Sequence, residues 1–172
     1  MMKSKKVVIL SIILLIVGLP VFLLYKTVRE KQQIKDAYNS IPDFKMTDLQ
    51  GGIYTSQLLN NNKSTLFLFF DPDCENCREE FEQIKQYRDS LQDCNMVFVS
   101  ILSRDDVQKF ICEMNFQLSE NMAFLLDSQA KLFCRMDVRI IPATLIYNRN
   151  SVLIKRYSGQ VKAETLIKYL SE

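Results

Sequence analysis

Apolar positions fall into three patterns along the chain, and each predicts a different kind of element. The first is continuous: the nineteen residues from Val7 to Tyr25 carry no charge, with Lys3, Lys5 and Lys6 before them and Lys26 and Arg29 after. Such a stretch is apolar on every face and lacks the one-sided stripe of a soluble helix. As a helix it rises about 28 Å against a hydrocarbon core of about 30 Å, which predicts one transmembrane helix running nearly upright. The interruption Gly18-Leu19-Pro20 is tolerable in lipid. Its exit, Val21-Phe22-Leu23-Leu24-Tyr25, lacks the small residues of a signal-peptidase site, which favours a retained anchor over a cleaved leader.

The second pattern is the short apolar run bounded by polar residues, the mark of a strand covered on both faces. Leu66 to Phe70, Met96 to Leu102, Ala123 to Leu126 and Ala143 to Tyr147 fit it. Val152 to Tyr157 follows a turn at Asn148-Arg149-Asn150 and predicts a hairpin with the strand before it. The third pattern is helical. Glu79 to Leu91 is amphipathic, and the helix that carries it has Cys77, Phe81, Ile84 and Leu91 near one face and Arg88 as a polar exception. Ser103, with Asp105 and Asp106, opens a helix that turns Val107, Phe110, Ile111 and Met114 inward. Asp127 and Ser128 can cap a helix through Phe133, and Lys162 to Leu170 closes the chain as an amphipathic helix.

Ile41 to Leu49 reads as an extended lead-in turned by Gly51-Gly52, with a short helix at Ser56 to Leu59 and a loop at Asn60-Asn61-Asn62-Lys63. Strand and helix therefore alternate and end in a hairpin and a helix, an α/β order that predicts a mixed central sheet with helices on both faces. Residues 1–25 form a tail and membrane anchor, 26–40 a polar stalk, and 41–172 one domain large enough to bury a core.

Charge changes the picture at one point. All 20 acidic residues follow residue 25, whereas three of the 22 basic ones lie in the short tail before the span. A long domain crosses a membrane largely regardless of its charge, but a tail with three lysines stays inside, so the domain is expected outside. No basic stripe points to nucleic acid. The chain contains no histidine, which excludes a cysteine–histidine hydrolase and any His-ligated zinc or haem site within it.

Cys74-Glu75-Asn76-Cys77 lies between the apolar run Leu66 to Phe70 and the amphipathic segment. Five cysteines in a chain of this length produce such a spacing by accident in roughly one chain of seven, so the context carries the argument. A thiol at the mouth of a helix meets unpaired N–H groups and the positive end of the helix dipole, both favouring thiolate. Cys74 is therefore the expected attacking thiol, and Cys77, one turn inside, the resolving thiol.

The strand, Asp71-Pro72-Asp73-Cys74-Glu75-Asn76-Cys77, and Ile141-Pro142 ahead of Ala143-Thr144-Leu145-Ile146-Tyr147 together resemble a TlpA/ResA-like thiol-disulfide oxidoreductase of the thioredoxin superfamily. The likeness covers about residues 41 to 172, including Ile41-Pro42-Asp43-Phe44 and Leu49-Gln50-Gly51-Gly52. It implies a thioredoxin-like three-layer fold and a protein-disulfide reductase or isomerase that needs no cofactor and no metal. The partners it implies are protein disulfide substrates and a membrane or soluble thiol electron donor. With the anchor at residues 7–25, the expected setting is the extracytoplasmic side of a bacterial cell membrane. Pro142 corresponds to a proline that follows a cis bond and faces the cysteine pair, making Ile141 and Pro142 the substrate-docking edge. Glu80 corresponds to a carboxylate that some reductive members hold near the cysteines; as a helix residue beside Glu79, a solvated glutamate is the other reading of it.

Departures also inform. Asp73 stands where thioredoxins carry Trp, and Leu68 stands at the position of their buried acid, leaving Glu80 or water to handle protons. Asp71, Asp73, Glu75, Glu79 and Glu80 crowd the pair against Arg78, and negative charge raises a thiol pKa, which points to a reducing centre. Of the remaining cysteines, Cys134 shares a predicted face with Ala130 and Phe133 and is expected in the core, while Cys112 is expected at the surface. Two other functions fit the same fold. A peroxide-reducing enzyme needs a Thr or Ser turn and an Arg partner at its cysteine, which Asp71-Pro72-Asp73-Cys74 does not supply; the other is a copper-delivery or purely binding module, and copper chaperones of similar fold use a wider cysteine spacing with His, which this chain lacks.

Overall fold

The computed structural model describes residues 18–29, 32, 36 and 38–170. Residues 7–17 of the expected membrane span, and most of the expected stalk between 30 and 37, lie outside the described residues. Residues 18–29 are helical and exposed, and no helix of the described residues is long and apolar enough to cross a membrane. The chain divides into two compact units, Met1–Asp36 and Ala37–Glu172.

The second unit is built on one seven-stranded sheet. Its strands are β1 (Lys45–Asp48), β2 (Ile53–Thr55), β3 (Ser64–Phe69), β4 (Cys94–Ser100), β5 (Met122–Leu126), β6 (Ala143–Tyr147) and β7 (Leu153–Ser158). They lie in the order β2-β1-β5-β4-β3-β6-β7. β3, β4 and β5 run parallel, and β6, β7 and the β1–β2 hairpin run antiparallel to their neighbours. Every residue of β3 and β4 is buried, as their continuous apolar sequences require of strands covered on both faces.

The helices are α1 (Glu75–Gln86), α2 (Arg104–Glu113), α3 (Lys131–Arg135) and α4 (Ala163–Leu170). Alternation along the strands divides the core in two. Leu66, Leu68, Phe70, Met96 and Phe98 face α1, α2 and α4, whereas Phe67, Phe69, Val97, Val99 and Leu145 face the short α3. Phe81 of α1 is the hub of the first layer, its ring centroid lying 4.9 Å from that of Phe70, 5.0 Å from Phe98 and 4.8 Å from Phe110. Phe81→Ala is expected to destabilise the domain by roughly 3–5 kcal/mol, read as a lowered denaturation midpoint at unchanged slope.

Three expectations are corrected. The lead-in is not merely extended: Asp48 closes a hairpin by accepting the Gly52 N–H at 2.8 Å, and β1 adds to β5, widening the sheet by two strands. Gly51 turns the chain with φ of 87°, which favours glycine, and a Cβ on Gly52 would lie 2.9 Å from Asp48 Oδ2 and displace the carboxylate that closes the hairpin. The amphipathic segment from Glu79 to Leu91 is two elements, because α1 ends at Gln86 and Leu91 reaches the core through a 3-10 turn at Arg88–Leu91. Cys134 is exposed rather than buried. Ala130 has a left-handed backbone and precedes α3, so the inward stripe is Leu132, Phe133 and Met136, and Cys134 falls outside it.

The capping expectation at Ser103 holds, and that at Asp127 and Ser128 holds through Asp127. Ser103 is the N-cap of α2 and accepts the Asp106 N–H. Asp127 is buried and accepts the N–H groups of Lys131, Leu132 and Phe133 at 2.8, 2.8 and 3.0 Å, holding the start of α3.

Candidate active site

The cysteine pair forms where β3 leaves the sheet and α1 begins. The Asp73 N–H is taken by Asp71 Oδ1 at 2.8 Å and the Cys74 N–H by the Asp71 carbonyl at 3.1 Å, a tight turn that aims Cys74 at the helix mouth. Cys74 is itself the N-cap of α1, and its Sγ accepts the Cys77 N–H at 3.4 Å. The amide it takes belongs to the unpaired first turn of the helix. Cys74 is partly exposed and Cys77 is fully buried, and both are free thiols.

Burial is the largest cause that pushes the Cys77 thiol well above its ordinary range. Its contact with Cys74 and the nearby Glu80 charge push the same way, and a backbone hydrogen bond from Asp71 opposes them. Asp73, Glu75 and Glu79 are exposed, and none of them is among the groups that act on the Cys77 thiol. Arg78 is drawn away from the pair: its Nε donates to the Pro72 carbonyl at 3.0 Å, its guanidinium meets Glu113 at 2.9 Å, and it stacks over Phe110.

Glu80 is not a solvated helix residue. It has no exposed surface, because it shares the inward face of α1 with Cys77, Phe81 and Ile84. Oε1 accepts the Thr144 hydroxyl at 2.8 Å, and Oε2 has no hydrogen-bond partner among the described residues. Burial raises its pKa to about 7; the Thr144 hydroxyl and the backbone of Val161 pull it back only in part, Val161 without closing a hydrogen bond. A carboxyl that titrates near neutrality, one turn from a buried thiol, can carry that thiol's proton.

Ile141–Pro142 is a cis peptide bond directly ahead of β6. Since Phe69 of β3 pairs with Ala143, Pro142 lies one step further along, beside the segment that leads to Cys74. The Pro142 carbonyl is taken by the Gly159 N–H at 2.7 Å. Ile141 makes no backbone hydrogen bond among the described residues, and Ile140 before it is 61% exposed. The recess between Pro72, Arg78 and Leu102 holds about 80 Å³, small against the 300 Å³ or more of a small-molecule pocket, and Cys74 itself is partly exposed.

Cys74, Cys77, Glu80 and Pro142 are thus gathered at one end of the sheet. Thr144 and Val161 were missed. Thr144 had a signal, since it is two residues past Pro142 and so lies on the same strand face; Val161, in the connection before α4, had none. Cys94 is buried, its Sγ donates to the Leu91 carbonyl at 3.1 Å and burial pushes its pKa to about 12, while Cys112 is exposed as expected. Among the described residues no group of three His, Cys, Asp or Glu is placed to hold a metal ion.

The AhpC/TSA family model matches residues 38–156. No curated protein sequence matches the chain. Among solved structures, a secreted Mycobacterium tuberculosis disulfide oxidoreductase homologous to E. coli DsbE is 18% identical, with a TM-score of 0.65 over 79% of this chain and 97% of that one. StoA from Bacillus subtilis is 21% identical, with a TM-score of 0.63 over 78% and 99%. The peroxidoxin BcpB from Mycobacterium tuberculosis is 14% identical, with a TM-score of 0.65 over 77% and 94%. At these identities the likenesses establish the fold, a mixed α/β thioredoxin-like one.

Proposed function

Because the chain belongs to the AhpC/TSA family, as a TlpA/ResA-like protein of the thioredoxin superfamily, we propose that it is a membrane-anchored thiol-disulfide oxidoreductase that reduces or isomerises protein disulfides outside the cytoplasm. One observation carries the reading: a partly exposed Cys74 sulfur caps α1 at the end of the sheet where a cis-proline precedes β6, with a buried thiol and a buried carboxyl one and two turns behind it. Cys74 attacks the substrate disulfide and forms a mixed disulfide. Glu80 takes the proton of Cys77, which then attacks Cys74 and releases the reduced substrate. Ile141 and Pro142 dock the substrate backbone, and a membrane or soluble thiol donor returns the pair to the dithiol. The anchor at residues 7–25 rests on its uncharged sequence, and the extracytoplasmic setting is in keeping with the secreted oxidoreductase of the same fold.

The family match and the peroxidoxin of the same fold favour a second reading, peroxide reduction at Cys74. Asp71-Pro72-Asp73 offers no hydroxyl at the approach to the thiol, and Arg78 is held by Pro72 and Glu113. The full-length protein is therefore expected to reduce insulin disulfides with a dithiol donor and to turn over hydrogen peroxide at no more than the rate of a free thiol. Rapid peroxide turnover without insulin reduction reverses the assignment. A reduction potential as high as that of a strong oxidase, about −120 mV, would rule out the reductive direction.

A further inference from the structure

Thr144 is fully buried on β6, where it pairs with Leu68 of β3 and with Tyr157 of β7. It faces α1, as Ile146 two residues on does, and its hydroxyl donates to Glu80 Oε1 at 2.8 Å. The carboxyl therefore enters the sheet from the helix at the Leu68–Thr144 rung. Its two oxygens are unequal: Oε1 is held and Oε2 is unpartnered.

Resting on the reading of Glu80 as the proton carrier, we propose that Thr144 is the positioning residue that makes this carboxyl one-ended, fixing Oε1 so that Oε2 alone exchanges a proton with Cys77. In the resolving step the Cys77 S–H bond breaks and its proton passes to Oε2. The sulfur lone pair forms the Cys74–Cys77 bond, and the bond from Cys74 to the substrate sulfur breaks. The substrate leaves as a thiolate that takes a proton from water, and the pair has given two electrons to the substrate disulfide. The Thr144 hydroxyl donates more strongly to a charged carboxylate than to the carbonyl oxygen that Oε1 becomes when Oε2 is protonated, so Thr144 favours the form of Glu80 that accepts the proton. The groups that act on the Glu80 carboxyl are Thr144 on β6 and the backbone of Val161 before α4, while Cys77 on its own helix feels its charge. Thr144 is the side chain among them that can be removed without touching a reacting sulfur.

The test uses the full-length reduced protein, with the Glu80 carboxyl titrated by carbon-13 NMR and the pH profile of single-turnover disulfide reduction recorded beside it. Thr144→Val and Thr144→Ala differ in bulk but both lack the hydroxyl. Both are expected to move the Glu80 titration and the kinetic inflection upward together by about one unit, a tenfold change in proton affinity. Thr144→Ser is expected to restore both, and Thr144→Val added to Glu80→Gln is expected to change neither inflection nor rate further. An unmoved titration in both hydroxyl-free variants, or a shift that Ser does not reverse, overturns the proposal while leaving Glu80 as carrier. A profile that Glu80→Gln itself leaves unchanged removes the carrier, and the role of Thr144 with it.

Discussion

Cys77→Ala is expected to turn the protein from a turnover catalyst into a trap that accumulates mixed disulfides through Cys74. The reason is geometric. The partly exposed sulfur that caps α1 can be reached by a partner, whereas Cys77 is enclosed and can reach only Cys74. Without Cys77 the first attack still proceeds and the second has no nucleophile, so turnover with insulin falls on the order of a thousandfold or more while adducts rise. Non-reducing electrophoresis with mass spectrometry of the adducts reads the result. Cys74→Ala loses turnover to the same degree but traps nothing, because the thiol left behind is the buried one. Equal trapping by both variants, or by neither, contradicts the assignment of attacking and resolving thiols.

Glu80→Gln is expected to slow exchange and stabilise the fold in the same pH range. The carboxyl is an ordinary acid in the unfolded chain, with a pKa of 4.5, and burial raises it to about 7 in the folded one. Between these values the native state keeps a proton that the unfolded state has lost, so stability falls as pH rises from about 4.5 to about 7 and stays lowered above it. Glutamine keeps the Thr144 contact and carries no charge. Denaturation of variant and wild type at pH 4 and at pH 8 is expected to show the variant gaining, at the higher pH, roughly 3 kcal/mol relative to its position at the lower. In the same protein the resolving rate of the wild type rises through about pH 7, and the variant loses that rise with a drop of about a hundredfold at pH 8. A stability difference that does not change with pH sinks the burial argument; an unaltered rate profile sinks the catalytic one.

The periodicity of the chain was a good guide where a single face decides burial. Phe67 and Phe69 against Leu66 and Leu68, or Val107 and Phe110 on α2, behave as alternation and helical spacing require. It misled at Cys134, because a five-residue helix begun from a left-handed Ala130 does not keep the phase of the residues before it. At β1 it saw an extended segment and not the partner that makes a strand of one, since the hydrogen bonds to β5 join residues some eighty positions apart. Glu80 is the instructive case. It stands three residues after Cys77 and one before Phe81, which already places it on the inward face, yet a glutamate beside a glutamate reads as solvated until the sheet is seen to cover it.

The cysteine pair at the strand-to-helix junction, the alternation that makes a mixed α/β sheet, and the uncharged stretch near the start were all determined by the sequence alone. Each is a local property, set by composition and spacing within one or two turns. Of the acids that the sequence sets around the pair, Asp73, Glu75 and Glu79 are exposed and Glu80 is enclosed. What the tertiary structure decided is which carboxyl matters. By closing β6 and α4 over α1 it excluded water from Glu80, left Thr144 as its hydrogen-bond partner, and brought Pro142 to the same end of the sheet, contacts that span sixty residues and that no local pattern encodes.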